Sequence, residues 1–331
     1  MSDSRRALLP YLAIGAIALI WGASFLFIKV AVQDMSPMVL TLIRAGSGFL
    51  ALAVIVVARR RKLFPDLGRR LLPFVVMGIT NGVLPWIAIA WGEERISSGL
   101  ASILNATTPL WAAVLVYWVI PLERPSAINY AGVLIGLAGV VILVLPDITV
   151  GGFRGDLLGT GAVLLASASY AVAALYQRRK LRGMNVYEGN LGQLAFTALL
   201  VLPLAAPSIP AVHLELKSVA AVLALGIFGS GIAGVLYYYV LNSLGPVRGS
   251  GVTLLVPVTA VFWGAAILHE AVTLPIVVGM VVILVGIVLT NVGRNAANPR
   301  RVEPALDPAP SPVPDASRPR RDLPTSGEGA A

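Results

Sequence analysis

Ten stretches of about 20 predominantly apolar residues run through the chain, near 11–33, 37–58, 71–91, 97–120, 127–146, 157–177, 187–206, 218–241, 247–268 and 272–293. A helix of that length crosses a hydrocarbon core about 30 Å thick. The intervals between the runs are too short to hold a soluble domain. The first run exceeds the roughly 7–15 residues of a secretory h-region, and nine more spans follow it. It is expected to stay in the protein as a membrane helix. The fold class expected is therefore an all-α integral membrane protein with ten transmembrane helices.

Composition agrees. Only 12% of the 331 residues are charged, against about 25% in an average soluble domain. The net charge of +9 invites a nucleic-acid reading, but the distribution of the basic residues answers to a different cause. With the N-terminus inside, 20 of the 25 basic residues, among them Arg59, Arg60, Lys62, Arg70, Arg178, Arg179 and Lys180, fall on one side of the membrane. Arg95, Arg154 and Lys217 fall on the other, and Lys29 and Arg44 lie within spans. Positive charge in short loops is retained on the cytoplasmic side, so both termini are expected in the cytoplasm and the protein in the cytoplasmic (inner) membrane. There are no cysteines, and His213 and His269 are the only histidines, which leaves little for disulfide, thiolate or metal chemistry. No cofactor, metal or nucleic-acid partner is expected. The expected partners are the bilayer and a small-molecule solute, and the sequence carries no signal for an oligomeric state.

Shifting the chain against itself by 148 residues superposes Gly78 and Ile79 on Gly226 and Ile227, Pro109 on Pro257 and Ala112 on Ala260. One residue of slip later, at 147, Glu123, Gly132, Gly139 and Val141 meet Glu270, Gly279, Gly286 and Val288. Each half then holds five spans, and because five is odd the second half enters the membrane from the opposite side. Such inverted repeats are common in secondary transporters, with the substrate between the halves near the midplane. The organisation expected is a cytoplasmic N-terminus over 1–10, a first repeat over 11–146, a second over 157–293, and a tail over 294–331. That tail carries eight prolines and six arginines and too few apolar residues to offset ordering entropy, so it is expected to be disordered.

Several strings carry a resemblance: WGASFLFIKVAV from Trp21, Pro37 followed by Arg44, ASILNATTPLWAAVLVYWVIPLERPSAINYAGVLIGLAGVVILV from Ala101, and its counterpart GSGVTLLVPVTAVFWGAAILHEAVTLPIVVGMVVILVGIVLTN from Gly249. In this order and spacing the chain resembles the EamA-like family of the drug/metabolite transporter superfamily over about residues 11–293. The resemblance implies a ten-helix carrier, often an exporter of amino acids or other small polar metabolites. It also implies that helices one, three, four, six, eight and nine surround the substrate pathway.

Polar residues within the spans supply the candidate pathway: Trp21 and Ser24 on helix one, Asn81 and Trp86 on helix three, and Asn105, Thr108 and Pro109 on helix four. Tyr170 and Tyr176 add to it from helix six, Ser230 and Tyr237 from helix eight, and Thr253 and Pro257 from helix nine. Asn105, Thr108 and Ala112 share a helical face by spacing, and each proline frees a backbone carbonyl. Gln193 on helix seven is expected to bond a neighbouring helix. Trp91 and Tyr239 fit an interfacial aromatic belt. Intramembrane charge is costly and functional by default: Lys29 reads as snorkelling to the interface, whereas Arg44 sits deeper and reads as acting inside the bundle. The acids fall in loops or at span ends, Glu93 among them, and Glu123 and Glu270 at equivalent places read as local partners of helix ends. With no carboxylate at the midplane, facilitated or otherwise coupled transport is expected rather than exchange on a membrane-centre glutamate. The string GSGIAG at 229–234 matches a dinucleotide fingerprint in form only, since it lies inside an apolar span; helix packing explains it.

The function expected is secondary, non-ATP transport by alternating access. The alternatives are a flippase for lipid-linked substrates, a non-transporting scaffold and an integral membrane enzyme. Enzymes of that kind use clustered acids or a placed base, and here Glu93 and Glu94 are the only adjacent acids. Comparing lipid-linked with soluble substrates discriminates the first from a carrier.

Overall fold

The computed structural model describes residues 3–297 apart from 61, 65–66, 120–125, 151–154, 182–183, 213–214 and 250–251. Expectations placed on Glu123, on His213 and on residues 298–331 of the tail lie outside the described residues.

The described residues are mostly helical, and three of the helices start where short polar side chains cap them. Ser36 precedes α2 (Pro37–Ala58) and its hydroxyl accepts from the Val39 amide, with Pro37 at the first helical position, where no amide donor is needed. Ser97 caps the helix that begins at Ser98 through the Leu100 amide, and Asn185 caps α7 (Val186–Ala205) through the Tyr187 amide. α1 (Asp3–Ala31) passes through Pro10. α3 (Leu67–Glu93) is interrupted by a π turn over Ile79–Val83. α4 is two segments, Ser98–Asn105 and Thr108–Val119. α5 (Ala127–Val150), α6 (Gly155–Lys180) and α7 follow, and α7 ends in a 3-10 turn. α8 comprises Leu216–Ala224, a π segment Leu225–Ile232 and Ala233–Gly249. α9 (Val252–Ile267) and α10 (Leu274–Ala297) complete the ten. Seven described helices have the length and apolarity to cross a membrane, and the shorter apolar stretches Ala127–Leu143, Val252–Ile267 and Leu274–Thr290 bring the number to ten.

The helices outrun the apolar runs. α1 begins at Asp3, so residues 3–10 extend the first span, α8 continues to Gly249, and α10 runs to Ala297, past the expected start of the tail. Backbone hydrogen bonding continues a helix into water, where hydropathy carries no signal.

The packing has the two-fold character of an inverted repeat. α1 lies on α9 as α6 lies on α4; α2 lies on the π segment of α8, and α7 on the π turn of α3; α5 packs on α10. Each pairing maps onto its counterpart when helix n is exchanged for helix n+5. At the α5–α10 seam the correspondence reaches single residues. A Cβ added to Gly132 would stand 2.7 Å from the Gly286 carbonyl oxygen, and one added to Gly139 would stand 3.0 Å from that of Gly279. The register runs oppositely along the two helices, so they are antiparallel, and glycine lets their backbones touch.

The two repeat prolines behave differently. α4 breaks at Ala106 and Thr107, just before Pro109, whereas α9 carries Pro257 inside an unbroken helix. In α4 the carbonyls around the break find hydroxyls: the Thr107 hydroxyl donates to Leu104 O (2.6 Å), the Ser167 hydroxyl of α6 donates to the same oxygen (3.1 Å), and the Thr108 hydroxyl donates to Asn105 O (2.8 Å). Asn105 thus ends the first segment of α4, while Thr108 and Ala112 lie on the second.

Candidate functional site

The π turns of α3 and α8 occupy equivalent repeat positions, since Ile79 and Ile227, matched by the 148-residue shift, fall in the two segments. π turns expose backbone and recur at functional sites. Each is bridged to helix two of the opposite half, α3 to α7 and α8 to α2, and the two bridges differ in chemistry.

At α3 the bridge is neutral. The Asn81 amide donates to Gln193 Oε1 (2.7 Å), and the Gln193 amide donates back to Asn81 O (3.2 Å). The Thr197 hydroxyl donates to Gly78 O (3.2 Å). Gln193 does what its position on α7 suggested, and Asn81, expected in the pathway, spends its side chain on that helix. A double-mutant cycle on Asn81→Ala and Gln193→Ala, followed by unfolding in detergent, is expected to return about 1 kcal/mol of coupling, toward the upper part of the range for intramembrane polar pairs.

At α8 the bridge carries charge. Arg44 donates from Nε to the Ser230 hydroxyl (3.0 Å), and its guanidinium lies 3.9 Å from the centroid of the Trp86 ring. Trp86 is buried and shares a cluster with Tyr170, whose hydroxyl lies within electrostatic reach of Arg44. Asn190, not anticipated from the sequence, donates to Ser230 O (3.3 Å). On the other side of the π segment the Trp21 indole donates to Gly229 O (3.1 Å) and packs on Tyr237 with ring centroids 5.2 Å apart. Ser24 is buried and donates to Ile20 O. The glycines of GSGIAG serve this packing: a Cβ at Gly229 would meet the Ser24 hydroxyl, and one at Gly231 the Gly48 carbonyl.

Trp21, Ser24, Trp86, Tyr170, Ser230 and Tyr237 are thus drawn around one π segment together with Arg44, which enters from helix two, outside the set of helices implied by the family resemblance. Other candidates lie elsewhere. Asn105, Thr108 and Pro109 sit at the α4 break, where Asn105 Oδ1 is buried without a partner. Tyr176 is six residues, about 9 Å, farther along α6 than Tyr170. Thr253 is exposed and Pro257 buried on α9. That helix meets α1 where the Thr259 hydroxyl donates to Ala18 O (2.7 Å).

Lys29 turns toward the end of α3 and the turn that follows it. Its ammonium donates to Glu93 O and to Ile96 O (2.8 Å), capping the carbonyls that end α3, the arrangement a cation favours at a helix C-terminus. Glu270 closes the other side of that turn. His269 takes a left-handed φ of 56°, turning the chain after α9, and Glu270 then accepts from the Ser98 amide (2.8 Å), the Ser98 hydroxyl (2.9 Å) and the Gly99 amide (3.1 Å) at the start of α4. At the opposite end of α3 Arg70 pairs with Glu188 of α7 (2.6 Å).

Ten membrane helices in two interlocked five-helix halves, with one guanidinium held against an aromatic ring where the halves meet, define a multi-pass membrane protein of the inverted-repeat class. The model of the EamA-like transporter family matches twice, over residues 8–145 and 157–292, and the chain belongs to that family. It is similar to the uncharacterized transporter YoaV of Bacillus subtilis, at 26% identity over 83% of this chain and 94% of that protein. It is also similar to the uncharacterized inner membrane transporter YedA of Escherichia coli K12, at 27% identity over 87% of this chain and 93% of that protein. Protein PagO of Salmonella typhimurium matches at 29% identity, over 84% and 91%. A solved crystal structure shares the fold with a TM-score of 0.61 at 20% identity, covering 85% of this chain and 95% of that one.

Proposed function

We propose that the protein is a secondary transporter, independent of ATP, that exports amino acids or related small polar metabolites by alternating access and recognises them by a carboxylate. The observation that carries this reading is Arg44. Its Nε is taken by Ser230 and its face by Trp86, while no carboxylate of the described residues pairs with it. The two terminal nitrogens remain, in the planar fork that binds a carboxylate bidentately. An unpaired guanidinium among helices is costly, and a solute that supplies the missing anion offsets that cost. The two halves then rock about this point, exposing it to either side in turn.

Both termini lie in the cytoplasm in this reading, and the protein lies in the cytoplasmic membrane and is no enzyme. A reporter fused to the C-terminus is expected to be active only inside the cell; activity only in the periplasm contradicts the ten-span orientation. The transport reading is tested by efflux of labelled amino acids from proteoliposomes containing the purified protein. Efflux above that of empty vesicles is expected. Retention of every amino acid, alongside movement of lipid-linked substrates, would favour the flippase.

A further inference from the structure

We infer that Glu93 is a proton-binding site of this carrier, occupied in the conformation described and emptied during the transport cycle. The inference rests on the transporter reading but on different atoms. Glu93 is the last residue of α3, where its sequence position suggests an exposed end, yet it is 0% exposed and neither carboxylate oxygen has a hydrogen-bond partner.

The burial has a local cause. Gly92, the residue before it, lets α6 approach so closely that a Cβ there would stand 2.7 Å from Val163 and 3.0 Å from Gly159 O. Among the described residues the charged groups facing Glu93 are Lys29 from α1, Arg44 from α2 and Glu270 from the turn before α10. The neighbouring Glu94 and Arg95 pair with each other (2.9 Å), and α6 contributes Gly159 and Val163.

Lys29 donates to two backbone carbonyls and Arg44 to the Ser230 hydroxyl, and neither bonds a carboxylate oxygen of Glu93. Of the two carboxyl groups, Glu270 receives three donors and Glu93 none. A buried carboxylate without donors is costly to charge, and of these two groups Glu93 is the one so placed. The ligand that neutralises Glu93 without needing further coordinating atoms is a proton. Because Lys29 and Glu270 hold the adjacent ends of α3 and α4, motion that parts these ends also opens Glu93 to water, and one proton leaves the carboxyl as the charged form becomes hydrated.

The test uses the purified full-length protein and needs no solute. Infrared difference spectra between acid and alkaline buffer are expected to show the carbonyl stretch of a protonated carboxylic acid, shifted in D2O. The band is expected to be lost in Glu93→Gln and to persist in Glu94→Gln. Glu93→Asp keeps the carboxyl and is expected to move the band, which preserves the test if the glutamine variant fails to fold. A wild-type spectrum without the band, or a band unchanged in Glu93→Gln and Glu93→Asp, overturns the assignment. A band that appears only when sodium is withdrawn also overturns it, in favour of a metal cation. In proteoliposomes enclosing a pH dye, solute exchange without proton movement removes the coupling and leaves the carrier. A band without any solute transport removes the carrier reading and leaves the proton site.

Discussion

Arg44→Ala is expected to lower the apparent affinity for a carboxylate-bearing solute by roughly two orders of magnitude while leaving the helices assembled. Truncating one partner of a buried charge pair costs about 2–5 kcal/mol, and 1.4 kcal/mol is about tenfold. Removal of the guanidinium leaves behind the Ser230 hydroxyl, which can turn to a backbone carbonyl, and the face of Trp86, so the protein keeps its packing. Arg44→Lys is expected to restore little, because an ammonium has neither the flat face that lies on Trp86 nor the fork that meets two carboxylate oxygens. Ser230→Ala removes only the restraint on Nε and is expected to have a smaller effect than either. Uptake titrations with labelled amino acids separate the three variants; equal affinity in wild type and Arg44→Ala would remove Arg44 from the site.

Gly286→Ala is expected to destabilise the protein more than any other single-methyl change at the repeat seam. The added Cβ would lie 2.6 Å from both Gly132 O and Gly136 N and 2.7 Å from Gly136 Cα. These are backbone atoms of α5 and cannot rotate away, so α5 and α10 must separate along a contact that joins the halves. Overpacking a close-packed interior typically costs about 1–3 kcal/mol and occasionally more, and a clash with backbone belongs at the upper end. Gly161→Ala on α6 is the matched control, since no atom lies within 4 Å of its added Cβ, and replacing glycine within a helix is intrinsically favourable. Thermal unfolding in detergent is expected to show a large fall for Gly286→Ala and none for Gly161→Ala. Equal unfolding temperatures would mean that the seam does not hold the halves together.

The hydrocarbon thickness made the ten helices legible, because it demands a minimum apolar length whatever the neighbours are. The repeat was legible for a related reason: Gly132, Gly139, Gly279 and Gly286 recur where two backbones touch, and no larger residue fits. The π turns were not legible. Their hydrogen-bond shift leaves the apolar pattern of Ile79–Val83 and Leu225–Ile232 intact, and the pair is recognisable only once the halves are superposed. Pro109 marked the break in α4, where the hydroxyls of Thr107, Thr108 and Ser167 reach the nearby carbonyls, whereas Pro257 lies within a continuous α9. Position along a span also does not show what two charges touch. Lys29 lies near an end, from which snorkelling follows if the neighbour is lipid, but here the neighbour is the end of α3. Glu93 reads as interfacial until Gly92 is seen to admit α6. Gly92 was the available signal, a small residue beside an acid at a helix end.

Solute counterflow tests the central claim most directly. Proteoliposomes preloaded with an unlabelled amino acid are diluted into a trace of the labelled compound, and the same is done with the amine that lacks its carboxylate. A carrier that recognises the carboxylate at Arg44 produces a transient accumulation of labelled amino acid above equilibrium, none of the amine, and none of either with Arg44→Ala. Simple equilibration without overshoot, or equal accumulation of the amine, would contradict it.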